Sequence, residues 1–509
     1  MNRVLHLLLS FLTLVLVGGI RSAVRAQCFL PGPNTASTVA FDLYGWTTDL
    51  SGNSCVVGTT YVDGAGPLNS NCESGAAYVY ELVGSAWVER PLIPALSMQC
   101  GDSFGSSVTI EGNTLAIGAQ HANVAGKVVV YARLGSDWTF VAELSATDSQ
   151  PVSNFGTMML LRGGRLFIGS AGAVYVFEEI SGQWTQVQKL VPSDAEPSNG
   201  FPSRIAAFGD TLVAGAHLAD PPGQSGCDSG AAYVFEWNGT TWSETQKLTA
   251  IDGHCGDFFG QSVAVAGDVI AVGAYRADID CPPGVSNCNS GAAYLFRKVS
   301  GVWQQEQRVT RDPVTLASFF GFFVALDGPD LLLVSSITDA GSVGGSVVNF
   351  RHTNGVWSQE SVVAAPGLSP GDNFGSTLAV SGGRVLATAL RSDIAGEDAG
   401  HVYYYANTPP GVGCDSNFIR GDCNGDGTKN IADAVFTLSF LFPFGAPPTF
   451  SCEDACDAND DGAINIADPI ALLGSLFGAP TVPLPPPVFC DVDPTPDGLT
   501  CTMTPPVCP

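Results

Sequence analysis

Two runs near the C-terminus hold the residues best placed to do chemistry. Asp422-x-Asn424-x-Asp426-Gly427-x-x-Asn430-x-x-Asp433 recurs 35 residues later as Asp457-x-Asn459-x-Asp461-Gly462-x-x-Asn465-x-x-Asp468. Oxygen ligands at loop positions 1, 3, 5, 9 and 12, with glycine at 6 for the sharp turn, are what a calcium ion asks of one loop. Position 7 gives a backbone carbonyl, so Thr428 and Ala463 are acceptable there. A single run of this kind is an ordinary polar turn. Two matching copies, each opening an apolar segment, predict a module that holds two calcium ions. Nothing else in the chain has comparable spacing. His121, His217, His254, His352 and His401 are scattered, and there is neither a Gly-x-Ser-x-Gly elbow nor a phosphate loop. Loop carboxylates paired as in a glycosidase are the one enzymatic route that spacing leaves open.

The loops need helices behind them. Val435, Leu438 and Phe442 stand at the same offsets as Ile470, Leu473 and Phe477, three and four apart, as on one helical face. Each half is too small to bury that face alone, so the two halves are expected to pack face to face. Cys423, Cys452 and Cys456 offer a staple. The pair resembles a type I dockerin, whose loops also end in Asp. That resemblance implies calcium binding and a cohesin partner, contacted through loop positions 10 and 11 and the helix that follows. Here those positions are Ile431-Ala432 and Ile466-Ala467, and the basic contact residues of the family are missing.

Upstream, the chain repeats. Tyr44, Phe104, Phe155, Phe201, Phe259, Phe320 and Phe374 are each followed eight residues later by glycine: Gly52, Gly112, Gly163, Gly209, Gly267, Gly328 and Gly382. Six positions on come Gly58, Gly118, Gly169, Gly215 and Gly273, with Thr388 in the last copy. A variable loop leads to Gly75-Ala-Ala-Tyr-Val-Tyr, with counterparts at Gly126, Gly172, Gly230, Gly291, Gly345 and Gly400. Six copies then close with a turn and a tryptophan: Trp87, Trp138, Trp184, Trp242, Trp303 and Trp357. Each copy reads as four short strands, nearly continuous in apolar residues, as a sheet covered on both faces requires. Seven such units predict an all-β, seven-bladed β-propeller ahead of the small α-helical module. The seventh copy stops at Tyr405 before Pro409-Pro410 and has no Trp strand. Either residues from about Gln27 to Thr35 close the ring as an edge strand, or the last blade has three strands.

This pattern resembles the FG-GAP repeat of integrin α-subunit propellers and of bacterial surface proteins, over about residues 40 to 406. Calcium-binding members carry alternating Asp after the Gly-Ala strand. Here only Asp278 with Asp280, and Asp393 with Glu397 and Asp398, approach that pattern.

Composition sets the remaining expectations. The formal net charge is −27, and Gly 60 with Pro 33 speaks for many tight turns. So acidic a surface argues against nucleic acid as a partner, and no later apolar run is long enough to span a bilayer. Residues 1–26 read as an export signal ending at Ala26, followed by the propeller over 27–408, a linker over 409–421, the calcium module over 422–480 and a Pro/Cys-rich tail over 481–509. The 15 cysteines then read as disulfides with at least one left over, and Cys72–Cys100, Cys227–Cys255 and Cys281–Cys288 are the expected pairs. Taken together, a secreted or cell-surface, non-enzymatic binding or scaffolding protein is expected. Its propeller loops would contact a protein or glycan, and its module would bind calcium and dock to a cohesin-like or envelope partner. An extracellular polysaccharide-degrading enzyme or accessory subunit is the alternative.

Overall fold

The computed structural model describes residues 29–30, 32–34, 42–60, 74–83, 86–90, 99–148, 153–194, 199–279, 281, 288–338, 344–406, 421, 423, 431–442, 456–459 and 463–477. The strands form seven antiparallel sheets of four strands each, one per repeat. Blade 5 shows the unit: Phe259–Ala266, Val269–Ala274, Ala292–Val299 and Val302–Val309 pair in sequence order. Its second strand is buried at every position because a neighbouring blade covers each face, whereas the fourth alternates with solvent. The innermost strand of each blade touches the innermost strand of the next, and blade 7 touches blade 1, so the ring is closed.

One joint recurs between blades. The aromatic that opens a repeat is buried and packs edge-on against the third strand of its own blade. Phe259 meets Tyr294 at 5.5 Å between ring centres, and Phe374 meets Tyr403 at 5.4 Å. Its backbone N–H meanwhile donates backwards to the carbonyl that precedes the Gly-Ala of the previous blade. Phe104 reaches Ser74 at 2.8 Å, Phe155 reaches Ala125 at 2.9 Å and Phe259 reaches Ser229 at 3.0 Å. At six of the seven joints the Gly-Ala glycine lies so close to that aromatic's backbone that no side chain fits; between blades 3 and 4 Gly172 faces open space and the Phe201 N–H donates instead to Asn199 Oδ1 at 3.0 Å. At Gly230, with φ +87°, a Cβ would fall inside contact distance of the Phe259 carbonyl oxygen. The two repeated dipeptides are therefore opposite halves of one clasp, each supplied by a different blade.

The same clasp closes the ring, where Tyr44 N–H donates to Ala399 carbonyl at 2.8 Å beside Gly400. The N-terminal segment then supplies the fourth strand of blade 7, which settles the open question. Phe29 pairs with Tyr405 and Leu30 with Tyr404 on the strand His401–Ala406. Asn34 fastens the seam: its amide nitrogen donates to Val402 carbonyl and its oxygen accepts from Val402 N–H, both at 3.0 Å. The Tyr44 hydroxyl donates to Pro33 carbonyl at 2.6 Å.

An outer clamp was not anticipated from the sequence. Gln188, Gln246 and Gln307 each follow a Trp by four residues. Each amide bonds twice to the backbone of the next blade's Trp: Gln246 donates to Trp303 carbonyl at 2.6 Å and accepts from Trp303 N–H at 2.9 Å. Gln188 does the same at Trp242, and Gln307 at Trp357. Trp357 is followed at that spacing by Ser361, and blade 7 has no Trp strand to be held. Cys227–Cys255 and Cys281–Cys288 are paired as expected. Cys100 is disulfide-bonded, while Cys72 lies outside the described residues. Cys55 is a free, buried thiol.

Two outcomes follow for stability. Gly230→Ala and Gly223→Ala both place a Cβ at positive φ, but only the former drives it into a carbonyl, since Gly223 faces open space. Thermal melts should show Gly223→Ala costing about 1 kcal/mol and Gly230→Ala at least twice that. The second outcome concerns acid. Burial pulls the His401 imidazole down to about 4. In its neutral form the ring can accept from the Asn34 amide at 3.2 Å. The unfolded chain takes up this proton near pH 6.5 and the folded chain does not, so stability is lost as pH falls from about 6.5 towards 4. Melting temperature should drop across that window, and the drop should be shallower in His401→Gln.

Candidate functional site

Among the described residues the C-terminal module shows two helices, α1 (Ile431–Leu441) and α2 (Ala467–Phe477). Of the expected calcium ligands, Asp433, Asp457, Asn459, Ala463, Asn465 and Asp468 are described; Asp422, Asn424, Asp426, Thr428, Asn430 and Asp461 lie outside the described residues. In the second loop the described ligands do come together. Asp457 and Asp468, eleven residues apart in sequence, are both buried and interact directly. Asp468 sits in the first turn of α2 and accepts backbone N–H groups from Asn465 at 2.7 Å and Asn459 at 3.3 Å. The Asn465 side chain stays inside the loop, accepting from Ala467 N–H at 2.8 Å and donating to Ala463 carbonyl at 2.9 Å. Burial, reinforced by the Asp457 carboxylate, pushes Asp468 up to about 6 against the pull of those two N–H groups. Two buried carboxylates turned on each other need either a shared proton or a cation. The donor set is all oxygen, so a hard divalent ion fits it.

The helices differ from expectation in phase. Val435, Phe442, Ile470 and Phe477 are exposed, and the inward residues are Asp433, Ala434 and Thr437 on α1 and Asp468, Pro469 and Leu472 on α2. The last loop carboxylate fixes this. Once Asp433 and Asp468 turn inward, the positions one and four further on turn inward with them, and Val435 or Ile470, two further on, points away. Of the expected face, Leu473 retains partial packing, and the shared core is Ala434, Ala458 and Leu472. So small a core is stapled by Cys423–Cys456, which joins the two loops.

The propeller's loop carboxylates serve the frame. Asp148 accepts from the Tyr175 hydroxyl at 2.8 Å and from Lys189 at 2.6 Å; Asp194 repeats this with Tyr233 at 2.7 Å and Lys247 at 2.6 Å. Asp278 caps its own loop by accepting Asn289 N–H at 2.9 Å, and Asp393 accepts Asp398 N–H at 2.9 Å. Asp280 lies outside the described residues. Asp278 also stands near Cys281 and Cys288, but those two sulfurs are joined to each other and are not free to ligate.

The FG-GAP repeat family model matches residues 184–235, 242–296 and 357–405. Each match starts at the Trp strand of one blade and ends in the third strand of the next, so it holds the aromatic that opens one joint and the glycine that offers the following one. No curated protein matches the sequence. Among solved structures, a candidate 6-phosphogluconolactonase from Bacteroides uniformis ATCC 8492 aligns over 66% of this chain and 88% of its own, at 13% identity and a TM-score of 0.43. No helix among the described residues is long and apolar enough to cross a membrane. The clasp geometry and the family match agree on one assignment: the chain carries FG-GAP repeats, closed into a seven-bladed β-propeller.

Proposed function

We propose that this is an exported binding or scaffolding protein, in which the propeller presents loops to a protein or glycan and the C-terminal module binds calcium and docks to a partner. An FG-GAP propeller fits a ligand-binding or scaffolding role. The disulfides fit an oxidising compartment. The leader over residues 1–26 lies outside the described residues, and export rests on its composition.

The single observation that carries the calcium reading is the buried Asp457–Asp468 pair. Asp457, Asn459, Asp468 and the Ala463 carbonyl would hold the second ion, with Asp461 as a further ligand from sequence. The ion would supply charge neutralisation that lets both carboxylates stay ionised inside the fold. Docking rests on a second observation. Ile431, Val435 and Phe442 are exposed on and beside α1, and Ile466, Ile470 and Phe477 are exposed at the same offsets on and beside α2. An apolar set duplicated in this way, left uncovered by the module's own core, suits an apolar partner surface.

Calorimetry should therefore show two transitions, with EDTA removing the smaller and hardly moving the larger. Asp457→Ala should mimic EDTA on the small transition alone. In a pull-down from envelope extract, Ile431→Asp with Ile466→Asp should abolish capture while leaving that transition intact. Capture that persists in this double variant, or in EDTA, would remove the docking reading. Collapse of the propeller in EDTA would move the calcium to its loops.

A further inference from the structure

The third residue after each opening aromatic faces the next blade near the axis. In four blades it carries a hydroxyl that donates to the glycine carbonyl of the next blade. Thr47 reaches Gly105 at 3.2 Å, Ser107 reaches Gly156 at 2.5 Å, Ser262 reaches Gly321 at 3.2 Å and Thr377 reaches Gly45 at 3.5 Å. In the other three blades Met158, Arg204 and Phe323 stand in that place, and in blade 4 the bond is made one residue earlier, by Ser203 to Gly260 at 2.5 Å. These three exceptions meet. Arg204 Nη1 lies 3.0 Å from Met158 Sδ, and its guanidinium carbon stands 5.0 Å over the Phe323 ring. Blades 3, 4 and 6 thus converge on one cation.

That cation borders a cavity of about 180 Å³. Trp46, Ser106, Thr157, Arg204, Phe322 and Ser376 line it, one from each of six blades, which places it on the propeller axis. Arg204 is half-buried and lines this cavity. No described carboxylate lines the space or pairs with Arg204. Burial alone acts on its proton affinity, drawing it down to about 10, so it remains a cation at any physiological pH. In a chain of net charge −27, an arginine held away from every acid is costly unless a ligand or trapped water answers it.

We propose that this axial cavity binds a small organic carboxylate, with the carboxylate paired to Arg204 and the apolar part against Trp46, Phe322 and Leu390. A guanidinium offers a planar pair of N–H donors that matches a carboxylate. The aromatic and aliphatic lining favours an organic body over a fully hydrated oxyanion. The volume holds about six waters at their liquid share, enough for an anion of benzoate size. This site is separate from the loops and from the calcium module, so it stands or falls independently of what those bind.

Titration calorimetry on the full protein in chloride buffer tests it, with acetate, benzoate, sulfate and inorganic phosphate as probes. Benzoate should bind one to one and more tightly than acetate. Affinity should hold flat from pH 6 to 9, because Arg204 does not titrate there. Arg204→Gln should weaken benzoate at least tenfold. Arg204→Met is the safer variant for folding, since it replaces a half-buried cation that has no acidic partner among the described residues with an apolar chain, and it should abolish binding while melting no lower than the parent protein. Phe322→Ala should weaken benzoate and leave acetate unchanged. No heat with either carboxylate, binding unaltered in Arg204→Met, or sulfate or phosphate binding more tightly than benzoate would each overturn the proposal.

Discussion

The structure depends on how closely two backbones approach where one blade meets the next. A glycine at positive φ, such as Gly230 or Gly291, lets an aromatic's peptide from the following blade lie directly against it. The aromatic N–H then completes a hydrogen bond that crosses the joint. A side chain at the glycine would push the blades apart at the axis, where the ring has least room. Everything further out follows from that approach. The second and third strands of each blade are covered on both faces, so they are nearly continuous in apolar residues. The outer strand is freer, alternates with solvent, and is secured by the Gln–Trp clamps instead.

The repeats were legible because the clasp demands the same residues at six of the seven joints. What they do was less so, since the Phe-Gly and Gly-Ala dipeptides stand in one repeat but act across two. Ring closure was open in the sequence because a two-residue strand at Phe29–Leu30 has no periodicity to read. Its only signal was the fourth strand missing beside Tyr404 and Tyr405 in the last repeat. The Gln clamp carried a signal in its constant spacing from Trp, and three occurrences would have sufficed to notice it.

The helical faces show a different limit. Val435, Leu438 and Phe442 have correct helical spacing, so periodicity favoured them as the buried set. The phase of each helix is set by the carboxylate that begins it, and Asp433 and Asp468 are more constraining than the apolar residues behind them. A polar ligand that must point inward overrides a hydrophobic stripe. Arg204 was invisible for the converse reason. A lone arginine in a long chain says nothing until the hydroxyl rule at its position is known, and that rule appears only once the joints are seen.

Native-state hydrogen exchange resolved to single amides bears most directly on ring closure by a repeated clasp. The Tyr44 N–H, which seals blade 1 to blade 7, should be protected to the same global level as the Phe104, Phe155 and Phe259 N–H groups inside the ring. Exchange of Tyr44 at the rate of an open loop, with the other three still protected, would show that the ring does not close as described.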